Sequence, residues 1–169
     1  MNGLAGDQAR VTVSVALPPA EAFEVFTQEI DLWWRRGPKY RHLGGERAII
    51  AIEPHVGGRV FESLVGDGPV QTIGRVLAWE PPARLLFEWR NAQFAPAEHT
   101  EVEVRFEPSG TGTRVTVVHR GWAAIRADHP ARHGQETTAF VRSLGLWWGD
   151  QLSALRRRVV VKASGPSSP

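Results

Sequence analysis

The runs GGRVFE (57–62), GRVLAWEPPARLLFEW (74–89), TEVEVRF (100–106) and TRVTVVHRGW (113–122) decide the fold. Only short turns separate most of them, so they read as a meander of strands. In the third run Val102, Val104 and Phe106 alternate with Glu101, Glu103, Arg105 and Glu107, the pattern of a strand buried on one face. Val115, Val117 and His119 share one face of the last strand, and Leu85, Phe87 and Trp89 alternate with Leu86, Glu88 and Arg90. Gly57-Gly58, Gly66-Asp67-Gly68-Pro69 and Pro81-Pro82 punctuate the ladder as turns.

Outward from that ladder the pattern changes. Ala9 to Leu17 alternates and reads as a first strand, stopped by Pro18 and Pro19, which suit a helix start. Ala20, Phe23, Val25 and Phe26 form a helical stripe to about Thr27. A second short helix, Glu29 to Trp34, carries Trp33 and Trp34, and 35–45 (RRGPKYRHLGG) reads as a basic loop. Arg47 to Glu53 and Arg59 to Val65 are the next strands. Residues 123–133 approach a long helix, Glu136 to Val159, whose apolar stripe is Val141, Leu144, Trp148, Leu152, Leu155 and Val159. Residues 1–8 and 162–169 read as flexible tails around one domain, 9–161. The outer face of the sheet is charged, so the other face packs on the helix. The expectation is an α+β helix-grip: a curved antiparallel sheet wrapped around a long C-terminal helix, with two short helices after the first strand. A hollow between sheet and helix is the place for a small molecule.

Composition bounds the function. A chain of 169 residues, 42% hydrophobic and 22% charged, is an ordinary globular domain. No apolar run reaches the ~20 residues of a membrane span. Cysteine is absent, which removes disulfides and thiolate chemistry and suits a cytoplasmic location. A net charge of +2 gives no reason to expect a nucleic-acid partner. Seven Trp and seven Phe against one Tyr leave two readings open, a Trp-rich core or rings lining a cavity wall. No nucleophile elbow, phosphate loop or dinucleotide fingerprint is present.

Candidate chemistry is sparse. His119, in register with Val115 and Val117, presents an inward imidazole that could hydrogen-bond a ligand or act as a base. A histidine satisfied by its neighbours is the plainer reading. Glu62 is the second weak catalytic candidate, with Arg75 as its expected partner and its strand parity ambiguous; Glu88 is expected to face outward. His129 and His133 stand at i, i+4, but Pro130 between them argues for a solvated turn, and no metal or cofactor is expected. Gly145 and Gly149, each costing about 1 kcal/mol in a helix, suggest either close strand packing or room for a ligand. Of Trp33 and Trp34, about 100° apart on a helix, one is expected inward and one at least partly exposed, as a gate or a dimer contact.

With these residues in view, the chain resembles the START-like superfamily, and within it the homologues of the activator of the 90-kDa heat-shock-protein ATPase. The pieces that carry the likeness are VTVSVALPPAEAFEVFTQEIDLWW (11–34), PHVGGRVFE (54–62), GRVLAWEPPARLLFEW (74–89) and TEVEVRFEPSGTGTRVTVVHRGW (100–122). The resemblance covers roughly Arg10 to Arg158 and implies a cavity between helix and sheet. Its implied activities are broad: binders of lipids and hormones, cyclases, stress proteins. Chaperone-activating members carry an additional N-terminal domain that these 169 residues do not contain, which takes weight from chaperone activation.

The leading expectation is a binder of a hydrophobic or aromatic small molecule, lined by Phe61, Phe87, Trp89, His119, Trp122, Phe140, Leu144, Trp147 and Trp148, with a possible homodimer. The rivals are a cyclase or dehydratase using His119 or Glu62 as base, and a chaperone-interaction module.

Overall fold

The computed structural model describes residues 7–43, 47–64, 70–90, 94–125, 129 and 134–163. The strands are β1 (Ala9–Val15), β2 (Ala48–Ile52), β3 (Arg59–Leu64), β4 (Val70–Glu80), β5 (Arg84–Trp89), β6 (Thr100–Ser109) and β7 (Gly112–Arg120). The helices are α1 (Pro19–Gln28), α2 (Ile30–Trp33) and α3 (Thr137–Ala163), with a 3-10 turn over Trp122–Ala124. The strands form one curled antiparallel sheet in the order β1-β7-β6-β5-β4-β3-β2, and α3 lies in its concave face. This is the α+β helix-grip that the strand ladder and the C-terminal stripe predict. The expected turn over 66–69, and the tails 1–6 and 164–169, lie outside the described residues.

The inward rows are those the alternation picks out. Leu85, Phe87 and Trp89 on β5, Val102, Val104 and Phe106 on β6, and Val115, Val117 and His119 on β7 are all buried. From α3, Trp148, Leu152, Leu155 and Val159 meet them, each at most 1% exposed. A buried Trp removes ~200 Å² from water, worth about 5 kcal/mol at ~25 cal/mol per Å². On the outer face Glu103 is covered by arginine: Arg84 Nε at 2.7 Å and Arg105 Nε at 3.2 Å. Burial raises the Glu103 pKa, but these hydrogen bonds outweigh it and hold the carboxyl below its usual range.

The short helices close the opposite end of the core. Pro19 opens α1, whose Phe23 packs on Phe106 and Trp79, each with centroids 5.0 Å away. Glu29, between α1 and α2, receives Arg158 at 2.7 Å and also Lys162, so α3 is clamped there and runs two residues into the segment expected as tail. One expectation is corrected. Trp33 and Trp34 are both buried, at 3% and 2% exposed. α2 is a single turn, and Trp34 already has extended backbone (φ −61°, ψ 124°), so the helical spacing of the pair does not apply.

Candidate functional site

The loop after α2 is built around Arg41, a residue that local charge would place in water. Its side chain is fully buried. The guanidinium pairs with Asp31 at 2.5 Å and donates to the carbonyls of Ala48 (2.6 Å), Trp34 (2.7 Å), Asp31 (3.1 Å) and Arg35 (3.2 Å). Arginine's fork of donors can satisfy several acceptors at once, which is what burying the charge requires. Arg41 thus fixes the path of 35–43 and with it Trp34, Tyr40 and His42.

Those side chains meet α3 and the sheet in one aromatic cluster. Trp34 lies 6.0 Å from Trp89, 5.6 Å from Trp147 and 5.6 Å from Trp148, centroid to centroid. Trp147 also meets Tyr40 at 5.8 Å and donates its indole N–H to the Lys39 carbonyl at 2.9 Å. Trp89 is the hub, with His119 at 5.6 Å on one side and His42 at 5.9 Å on the other. Trp122 sits beyond His119 at 5.2 Å and packs on Phe140 at 4.5 Å, with Leu144 half-buried beside them.

Of the residues expected to line a ligand site, the fold therefore assembles Trp89, His119, Trp122, Phe140, Leu144, Trp147 and Trp148. Their rings touch one another across the seam between α3 and the sheet. Phe87 is buried in the core below them. Phe61 is not with them. Val60 and Glu62 take the inward positions of β3, and Phe61 faces outward under the Arg59 guanidinium, 4.3 Å from its ring centre. Glu88 faces outward as expected, 3.6 Å from Arg90.

Both nitrogens of His119 are in use. Trp148 Nε1 donates to Nδ1 at 3.1 Å, which puts the imidazole proton on Nε2. That proton goes to Thr100 Oγ1 at 2.7 Å, and the Thr100 hydroxyl donates to the Trp89 carbonyl at 3.2 Å. Burial pushes the His119 pKa down to about 3. The imidazole is neutral and internally satisfied. Thr100 also lines an open cleft of about 410 Å³ at the end of β6 and β7, among Glu98, His99, Glu101 and Arg120. None of the expected ligand-binding residues borders that cleft.

Glu62 is fully buried, and its partner is not Arg75, which is exposed and reaches the Gly57 carbonyl at 3.4 Å. Instead it accepts from the His42 backbone (2.8 Å), His42 Nδ1 (3.0 Å) and the Leu43 amide (3.1 Å). Desolvation raises its pKa, but the hydrogen bonds from His42 and Leu43 bring it below the ordinary carboxylate value. Glu62 and His119 thus lie on the same concave face, on opposite sides of Trp89.

Among the described residues two buried donors have no acceptor, Trp122 Nε1 and Gln151 Nε2. The orientation of the Gln151 amide is set, because its Oε1 must accept from the Arg35 amide at 2.9 Å. His42, Arg41, Tyr40 and Gln151 escape sequence reasoning; the first three sit in an irregular loop without periodicity. Among the described residues no group of three or more His, Cys, Asp or Glu could hold a metal ion. His129 is buried against Phe94, centroids 4.9 Å apart, and His133 lies outside the described residues. No described helix is long and apolar enough to cross a membrane.

Residues 16–145 match the model of the family described as activator of Hsp90 ATPase homolog 1-like protein. The chain belongs to this family. Among solved structures, the chain is similar to Txn09, an anthrahydroquino-gamma-pyrone synthase. It is 34% identical, has a TM-score of 0.57, and the match covers 89% of this chain and 95% of that one. Protein MLL2253 from Mesorhizobium loti is 19% identical with a TM-score of 0.62, covering 94% of this chain and 99% of that one. The Aha1 dimer from Colwellia psychrerythraea is 17% identical with a TM-score of 0.61, covering 90% and 95%. These last two likenesses carry the fold alone. No curated protein matches the sequence.

Proposed function

We propose that this family member binds a planar aromatic small molecule bearing carbonyl oxygens, of the fused-ring polyketide kind, against the cluster around Trp34, Trp89 and Trp147. The observation that carries this reading is two buried N–H groups, one on either flank of that cluster, with no acceptor among the described residues. Trp122 Nε1 lies beyond His119, and Gln151 lies one turn past Trp147 and Trp148 on α3. A buried donor without an acceptor costs about 1–3 kcal/mol, and a ligand oxygen relieves that cost. The half-buried Trp147 supplies apolar stacking area for a flat ring, and donors without acceptors among the described residues select an oxygen-bearing ligand. Kinship with a synthase whose described product is an anthrahydroquino-gamma-pyrone supports the same ligand class. A cytoplasmic location and a homodimer belong to the same proposal.

The test is a tryptophan-fluorescence titration with 1,4-dihydroxyanthraquinone, with palmitate as the aliphatic control. Saturable quenching by the anthraquinone and none by palmitate is expected. W147A removes a ring pair worth about 0.5–1.5 kcal/mol and is expected to weaken binding by about two- to tenfold. Absence of saturable binding, or equal binding of palmitate, overturns the reading.

A further inference from the structure

We propose that His42, held by Glu62, is a general base that removes a proton from a phenolic hydroxyl of the bound aromatic ligand. The inference rests on the ligand class proposed above and adds a chemical step to it. Three observations carry it. Nδ1 of His42 meets the buried carboxylate of Glu62 at 3.0 Å, and that carboxylate is fixed independently by the amides of residues 42 and 43. An ionised carboxylate accepts hydrogen bonds only, so Nδ1 carries a proton, and in the neutral ring Nε2 then presents its lone pair. Nε2 has no hydrogen-bond partner among the described residues, and the side chain is 20% exposed while Glu62 is fully buried. Finally, the imidazole ring stands against Trp89, the hub of the aromatic cluster.

A carboxylate behind one imidazole nitrogen, with the other nitrogen open, is the arrangement by which a histidine is oriented and stabilised as it gains a proton. Glu62 is a positioning residue in this scheme, and His42 is the group that meets the ligand. Two other charged groups of the loop and the facing helix are engaged elsewhere. Arg41 is turned into its pair with Asp31, and Asp150 on α3 is taken by Tyr40 Oη at 3.2 Å and by Lys39. In the step itself the phenolic O–H bond breaks and an Nε2–H bond forms, leaving a phenolate beside an imidazolium. If that oxygen then adds to an activated double bond of the same molecule, a C–O bond closes the ring. The electron pair of the double bond moves to the neighbouring carbon, which takes the proton back from Nε2. No co-reactant is consumed.

The bound probe reports the step directly, because 1,4-dihydroxyanthraquinone changes its visible spectrum when a hydroxyl ionises. In the wild type the phenolate band of bound probe is expected at a pH at least about one unit below that of free probe, a tenfold change in the ionisation equilibrium. H42Q leaves Glu62 with its two backbone donors and removes the Nε2 base, so the shift is expected to be lost in whatever probe remains bound at saturation. E62Q, checked for folding by its thermal melt, is expected to reduce the shift. An unshifted band in the wild type, or an equal shift in H42Q, overturns the assignment while leaving the binding proposal standing. Loss of probe binding by the wild type overturns both.

Discussion

Two histidines flank Trp89, and the difference between them separates structure from chemistry. At the His119 end each ring nitrogen has a partner, Trp148 and Thr100, and the side chain is 1% exposed. Nothing on that imidazole is left for a ligand. At the His42 end one nitrogen is tied to a buried carboxylate and the other has no partner among the described residues. Position on the concave face, which both sides of Trp89 share, is therefore a poor guide to function. The accounting of each ring nitrogen discriminates between them.

The strongest way to break this comparison is to remove what holds the open end in place. Arg41 ties 35–43 to Asp31 and to Ala48 at the start of β2. R41M leaves four carbonyls and Asp31 without that donor, and breaking a buried ion pair costs about 3–5 kcal/mol. Urea denaturation is expected to register a loss in that range, with Trp fluorescence altered because Trp34 and Tyr40 lose their anchor. A loss below about 1 kcal/mol, the scale of a surface pair, means that the open end is held by something else.

The closed end is sharpened by pH. His119 has a folded pKa near 3 against 6.5 for the free side chain, so protonation favours the unfolded chain. Its share of stability is complete above pH 6.5 and is lost as pH falls towards 3. Each pH unit in that window costs about 1.4 kcal/mol. The carboxylates with lowered values, Glu29, Glu62 and Glu103, work in a different range: their contribution is present above 4.5 and is lost below it. Between pH 6.5 and 5 the wild type is therefore expected to lose about 2 kcal/mol more than H119N, read from urea midpoints at each pH. Equal slopes in the two proteins contradict a neutral, sealed His119.

How much of this was legible in the sequence depends on periodicity. The rows on β5, β6 and β7 and the stripe on α3 follow from spacing alone, because a strand repeats every two residues and a helix every 3.6. His119 inherits its inward position from Val115 and Val117. β3 has apolar residues on both faces, so spacing leaves Phe61 and Glu62 undecided; the structure turns Glu62 inward and shifts register between Val60 and Phe61. The loop 35–43 was opaque. Arg41 and His42 have no period to reveal them, and the acceptors that bury Arg41 are mostly backbone carbonyls, which no side-chain pattern encodes.

The smallest expected effect tests whether the site is confined to the ring-bearing flank of α3. Residues two apart on a helix are turned by about 200°, so Gly145 and Gly149 lie on nearly the opposite flank from Trp147. A Cβ built at either glycine meets no atom within 4 Å, so neither residue is needed to let β1 approach. Close strand packing, one of the two explanations for this pair, therefore loses its footing. In mid-helix, with room for a methyl group, Gly→Ala gains about 0.8–1 kcal/mol. G145A and G149A are each expected to raise the thermal midpoint by a few degrees, and together to add up because each methyl enters open space. Anthraquinone binding then decides what the space is for. Unchanged affinity in the double variant keeps the ligand on the Trp147 side, whereas raised stability with lost binding extends the site around the helix to the glycine flank.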